Sequence, residues 1–182
     1  MKKLSILALL CLGPSFISKA QFERRKFKPF KTIASMGWAK PENLVYKYPL
    51  NFSLEPKYGP TDWLWFGLRG ESTLFIQESL LQDDYKAFGV FSVVPHVELS
   101  WPINDEFRPF IGFGYGLYAS RLYFDGYEEA IDNQFVNRYG FSPRIGFEWQ
   151  RSTVALEYNL VKNGLNYLAF KIGYCMWGGT VD

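Results

Sequence analysis

The sequence predicts an all-β chain, an eight-stranded antiparallel up-and-down β-barrel that crosses a membrane with its strands. Three observations predict it. Aromatic residues make up 19% of the 182 residues (17 Phe, 12 Tyr, 6 Trp) and stand beside 16 Gly, a mixture that favours strands and close backbone approach. Apolar residues recur with period two in stretch after stretch, and no convincing amphipathic helix interrupts them. The two faces of that alternation differ in kind, one large and apolar, the other made of Gly, Ser and charge. The length fits one domain. The 21% charged and 48% hydrophobic residues exclude a disordered tail. Two cysteines are too few for a disulfide scaffold.

Residues 1–20 read as a secretory signal peptide. Lys2 and Lys3 precede the apolar run Leu4 to Leu12, and Ser18-Lys19-Ala20 offers small residues for cleavage before Gln21. The run is too short to span a bilayer, which takes about 20 residues. Cys11 follows Leu10, where a lipidated cysteine would follow a small residue, so lipidation is not favoured. Removing Lys2, Lys3 and Lys19 takes the net charge from +2 to about −1, so the basicity belongs to the leader and implies no nucleic-acid partner. Residues 21–30 read as a basic leader, and 31–178 as the barrel domain.

Strands are expected at about 31–40, 48–58, 62–76, 86–101, 107–120, 138–151, 153–161 and 166–177. The first alternates poorly. The fifth alternates Pro109, Ile111, Phe113, Tyr115, Leu117 against Phe110, Gly112, Gly114, Gly116, Tyr118. The sixth alternates Tyr139, Phe141, Pro143, Ile145, Phe147, Trp149 against Gly140, Ser142, Arg144, Gly146, Glu148. A soluble lipocalin-like barrel would turn the apolar face inward, and a membrane barrel turns it outward. Size decides, because a large ring on every strand would overfill a narrow lumen. The polar face then gathers Glu55, Lys57, Arg69, Glu71, His96, Glu98, Arg144, Glu148, Glu157 and Lys171 as a lumen charge network, four firm cations against five acids. Buried unpaired charge is costly, so these groups must pair.

Connections are expected to alternate. Short turns lie at Gly59-Pro60-Thr61-Asp62, Pro102-Ile103-Asn104-Asp105 and Arg151-Ser152, and outer loops at about 41–47, 77–85, 121–137 and 162–165. Loop 121–137 is long and polar, a candidate contact for an extracellular partner. Trp63, Trp65, Trp101, Trp149 and Trp177 fall at the inner rim and Trp38 near the outer rim, as membrane-interface aromatics. Strict parity would turn Trp63, Trp65 and Trp177 inward, so either parity slips at those strand ends or those rings plug the lumen floor.

Several stretches carry a resemblance. They are Phe52-Ser53-Leu54-Glu55-Pro56-Lys57-Tyr58, the run Phe107 to Tyr118, Phe141-Ser142-Pro143-Arg144-Ile145-Gly146-Phe147-Glu148, Leu156-Glu157-Tyr158-Asn159 and Lys171-Ile172-Gly173-Tyr174. With these the chain resembles the small outer-membrane β-barrel proteins of Gram-negative bacteria, a porin-family-like group. The resemblance implies an eight-stranded barrel at the cell surface in outer-membrane lipid and lipopolysaccharide, with no catalytic residues to carry over. The C-terminal Gly178-Gly179-Thr180-Val181-Asp182 departs from the aromatic ending common in such barrels.

No cofactor, metal or catalytic set is expected. His96 is the single histidine and shares the polar face with Ser92, Glu98 and Ser100, which suits a lumen hydrogen bond rather than attack on a lipid ester. There is no CxxC or HExxH pattern. Asp83-Asp84 and Glu128-Glu129 read as solvated loop charge. The functional expectation is a non-enzymatic outer-membrane protein with a plugged, charged lumen and a structural or surface-interaction role. The alternatives are a narrow small-solute porin, an outer-membrane lipid-modifying enzyme and a soluble lipocalin-like binder.

Overall fold

The computed structural model describes residues 28–42, 49–78, 85–104, 106–125, 136–162 and 166–179. Eight strands follow in order: β1 (Lys28–Pro41), β2 (Leu50–Tyr58), β3 (Leu64–Glu78), β4 (Tyr85–Ser100), β5 (Phe107–Asp125), β6 (Val136–Trp149), β7 (Ser152–Val161) and β8 (Tyr167–Gly179). Each pairs antiparallel with the next, and β1 pairs β8, closing the barrel. Closure leaves no free sheet edge, so the backbone polar groups find partners within the wall. No helix of the described residues is long and apolar enough to cross a membrane.

All eight expected strands form, with shifted bounds. β1 starts at Lys28, inside the expected leader, because Phe30 pairs with Tyr58 and Lys28 with Gly179. β5 runs on to Asp125, so the expected loop 121–137 loses both ends to strand. Ala87 and Lys86 pair with Phe124 and Asp125, where the β-prone Leu122-Tyr123-Phe124 extends the hairpin. Loop residues 126–135 lie outside the described residues, as do 1–27 with the signal peptide and Cys11. The tight turn is Gln150-Arg151 rather than Arg151-Ser152. Trp149 pairs with Ser152, and Gln150 takes φ 55°, the left-handed conformation that two-residue hairpin loops demand.

The period-two pattern sorts the side chains. Outward positions are exposed and apolar: Trp38, Phe52, Leu68, Phe113, Ile145, Ile172. Inward positions are buried and mostly small or charged: Ser53, Arg69, Glu98, Ser142, Lys171. One end of the barrel carries the short turns, and the other carries the longer connections. These are called the turn end and the loop end below.

Candidate functional site: the charged lumen

Three tiers of charge fill the barrel. At the turn end Lys31 Nζ bonds Glu148 and lies 3.8 Å from the Trp65 ring centre, a cation over an aromatic face. In the middle, Lys57 Nζ is 2.5 Å from Glu98 Oε1 and 3.3 Å from Glu55 Oε2. Arg144 Nη1 is 2.9 Å from Glu55 Oε2, and His96 Nε2 is 3.1 Å from Glu98 Oε1. The Phe110 ring lies 5.5 Å from the Lys57 ammonium and 5.3 Å from the Arg144 guanidinium. In the third tier Arg69 bonds Glu157 and reaches Glu71 at 3.1 Å. Lys171 bonds Glu71 and stands 3.3 Å from Glu157.

Neutral polar groups finish the third tier. Asn51 donates to Glu71 at 2.8 Å, and the Tyr167 hydroxyl donates to Glu71 at 2.7 Å. Ser142 donates to Glu157 at 3.0 Å, and Tyr118 donates to Asn159 Oδ1 at 2.7 Å. Above this tier the loop end of the lumen turns apolar. Phe75, Val90, Tyr118, Val161 and Tyr167 form a buried cluster with Ala39, Val94 and Ala169, and Phe75 meets Tyr167 edge-on at 5.8 Å. Among the described residues an ionic column is capped by a buried apolar cluster, and paired charge there satisfies the demand that buried ions be neutralised.

The structure brings together all ten residues of the expected charge network, from Glu55 to Lys171, and adds one the sequence reading missed. Among the described residues the lumen ion pairs join five cations (Lys31, Lys57, Arg69, Arg144, Lys171) to five carboxylates (Glu55, Glu71, Glu98, Glu148, Glu157). Lys31 is the missing cation. The signal that could have found it was the shortfall of one positive charge beside a basic residue on the poorly alternating first strand. Asn51, Tyr118, Asn159 and Tyr167 were likewise not foreseen as partners.

The tryptophans divide. Trp38, Trp63, Trp101 and Trp149 are exposed, Trp38 towards the loop end and the other three at the turn end, where interface rings belong. Trp65 is a correction. Expected among the interface aromatics, it is 1% exposed and forms the lumen floor, on the inward parity of Gly67 and Arg69. Gly59 makes the room, since a Cβ there would lie 2.8 Å from the Trp65 ring. Trp63 stays outside because it precedes β3, where alternation has not begun. The backbone of Trp177 pairs with Thr32, and its side chain lies outside the described part.

Glu55, His96 and Glu98 place one ligand-type atom each within 4.8 Å of one another. The Lys57 ammonium and Arg144 guanidinium already stand against those carboxylates, so the trio has its counter-charge from the chain itself. The His96 side chain is 1% exposed.

Outside the lumen, at the loop end, the exposed Glu42 accepts hydrogen bonds from the Tyr158 hydroxyl and, at 3.1 Å, from Asn166. The Tyr158 bond, then the Asn166 bond, holds the Glu42 carboxyl below its ordinary value. The folded value is depressed, so this clasp supports the fold above the ordinary carboxylate range and is lost as pH falls through the lowered value. The Tyr158→Phe variant should move the Glu42 titration back up towards the ordinary carboxylate value, read by carbon-detected NMR of the side-chain carboxyl. An unmoved titration would remove the clasp.

No protein-family model and no curated protein sequence matches the chain. Solved structures do. Neisserial surface protein A (NspA) aligns at 14% identity over 80% of this chain and 95% of its own, with a TM-score of 0.58. The Yersinia pestis outer membrane protein Ail in a phospholipid nanodisc aligns at 16% identity over 80% of this chain and 99% of its own, with a TM-score of 0.49. The outer membrane enzyme PagL aligns at 15% identity over 81% and 99%, with a TM-score of 0.45. The structural neighbours are thus small outer-membrane β-barrels, and the likeness to NspA bears on the fold alone.

Proposed function

We propose that the chain is a non-enzymatic integral protein of a bacterial outer membrane, delivered by its leader and cleaved near Ala20. In this reading its wall is in contact with outer-membrane lipid and lipopolysaccharide, and its loop end serves as a cell-surface contact through the region around 121–137. One observation carries the reading: the barrel is inside out relative to a soluble one. Trp38, Phe113 and Ile145 are 59%, 55% and 57% exposed while Arg69 and Glu157 are 0% and 1% exposed. Water would penalise such a wall, and hydrocarbon stabilises it at roughly 25 cal/mol per Å² of apolar surface covered. A lipocalin-like soluble binder requires the opposite sorting.

The apolar cap and the paired side chains below it weigh against a small-solute porin, since eight strands enclose only as much space as side chains fill. The inward His96 weighs against a lipid-modifying enzyme.

The test is the purified membrane fraction on an unboiled and a boiled gel. The unboiled barrel should run as a compact, faster band, and recovery in a detergent-free soluble fraction would overturn the reading. In planar bilayers the protein should give no single-channel steps, and regular steps would restore the porin. Lipid A should be unchanged on expression. A modification abolished by His96→Ala would restore the enzyme.

A further inference from the structure

Three prolines stand inside strands of the wall: Pro56 in β2, Pro95 in β4 and Pro143 in β6. Proline has no N–H to give to a neighbouring strand and is rare inside a sheet for that reason. The registers locate the loss. Between β2 and β3 the pairing stops at Leu54↔Gly70 and resumes at Lys57↔Gly67. Between β4 and β5 it stops at Val93↔Leu117 and resumes at His96↔Gly114. Between β6 and β7 it passes from Phe141↔Leu160 straight to Arg144↔Glu157. In these registers Pro56 stands opposite Leu68, Pro95 opposite Tyr115 and Pro143 opposite Tyr158. The carbonyls of Leu68, Tyr115 and Tyr158 thereby lose their ladder donor, in a wall where lipid offers none.

The other seams are continuous. β3–β4 pairs without a skip from Leu64↔Leu99 to Glu78↔Tyr85, and β5–β6 from Phe107↔Trp149 to Ser120↔Val136. β7–β8 and β1–β2 are equally unbroken, and β1–β8 is unbroken from Ile33↔Cys175 to Pro41↔Tyr167. Each proline thus faces the next strand in the chain, across a seam that a short turn closes. The wall divides into three bodies: the β3–β4 hairpin, the β5–β6 hairpin, and the four strands β7, β8, β1 and β2. Every loop-end connection lies within one body, and none crosses a proline seam.

From the lumen side, two of the seams are tied. Asn51 donates across β2–β3 to Glu71 at 2.8 Å and to Thr73 at 2.7 Å. Ser142 donates across β6–β7 to Glu157 at 3.0 Å. At the β4–β5 seam the inward positions of β5 are Gly112, Gly114 and Gly116, which have no side chain to reach across.

We propose that the proline seams are lines of compliance built into the wall. They open locally and let the three bodies, each with its loop-end connections, shift against one another, most readily at β4–β5. The seams stand on the registers; their use in fitting the loop end to a partner rests on the surface-contact role proposed above.

The experiment is residue-resolved amide hydrogen exchange by NMR on the full barrel in phospholipid nanodiscs. Successive N–H groups of a strand face opposite neighbours, so each seam has a control beside it at the same depth. The amides of Leu68, Tyr115 and Tyr158 face the proline seams and should exchange at least about tenfold faster than those of Arg69, Gly116 and Glu157, which face intact seams. Tyr115 should be the fastest of the three. Pro95→Val returns an N–H to β4 at an outward position. It should slow Tyr115 about tenfold and leave Leu68 and Tyr158 as they are. Equal exchange towards both neighbours in the parent, or a Tyr115 rate unmoved in Pro95→Val, would overturn the proposal. If Pro95→Val gives no compact unboiled band, the comparisons within the parent decide alone. The parent's own band reports the membrane barrel separately, so the barrel reading can stand while the seams fail.

Discussion

Replacing Arg69 with methionine should cost about 3–5 kcal/mol of stability, the range for removing one partner of a buried ion pair. The side chain is fully buried and answers two carboxylates at once, Glu157 by direct bonding and Glu71 at 3.1 Å. It also reaches Ser142 at 3.2 Å and Asn159 at 3.3 Å. Without it, Glu71 and Glu157 share Lys171 alone, and one negative charge stands in the lumen with no cation. Methionine keeps much of the volume, so the loss measures charge rather than a cavity. The measurement is the urea midpoint for losing the compact unboiled band in phospholipid vesicles.

A second change sharpens the result. Adding Glu157→Gln to Arg69→Met removes the orphaned charge, and the double variant should recover much of the loss. Two groups in one network couple, and the cycle reads that coupling directly. An unmoved midpoint in Arg69→Met would mean that water screens the tier, and the closed-lumen reading would fail with it.

Much of this was legible in the residues, and the reason is geometric. Strand side chains alternate, so Ile145 and Arg144 declare opposite faces from adjacent positions. Nine charges of the network, and His96 beside them, are readable one by one from that parity. Their pairings are not. Lys171 meets Glu71 across 100 residues, and Arg144 meets Glu55 across 89. Those meetings depend on the stagger with which β1 closes on β8, which no local pattern encodes. Lys31 was hidden because its strand carries Ile33, Ser35, Gly37 and Ala39 inward against Thr32, Ala34, Met36 and Trp38 outward, two faces too alike to tell apart. Trp65 was ambiguous because the vacancy that admits it is made by Gly59, outside its own strand.

The closing seam offers the sharpest structural test. Gly37 lies on β1 opposite Lys171 of β8. A Cβ there would sit 1.9 Å from the Phe170 carbonyl oxygen and 2.9 Å from the Lys171 Cα. Both are backbone atoms, so no rotamer change relieves the collision. The seam must shift, and a shift at this pair also moves the Lys171 ammonium away from Glu71 and Glu157. Gly37→Ala should therefore abolish the compact unboiled band or lower the stability read from its urea midpoint by more than the roughly 1–3 kcal/mol typical of overpacking, where side chains can yield. Gly70 is the internal control: a Cβ there meets nothing within 4 Å, and Gly70→Ala should stay within about 0.5 kcal/mol of the parent. If both alanine variants behave alike, the β1–β8 register is wrong. The lumen pairs that depend on it would then have to be redrawn.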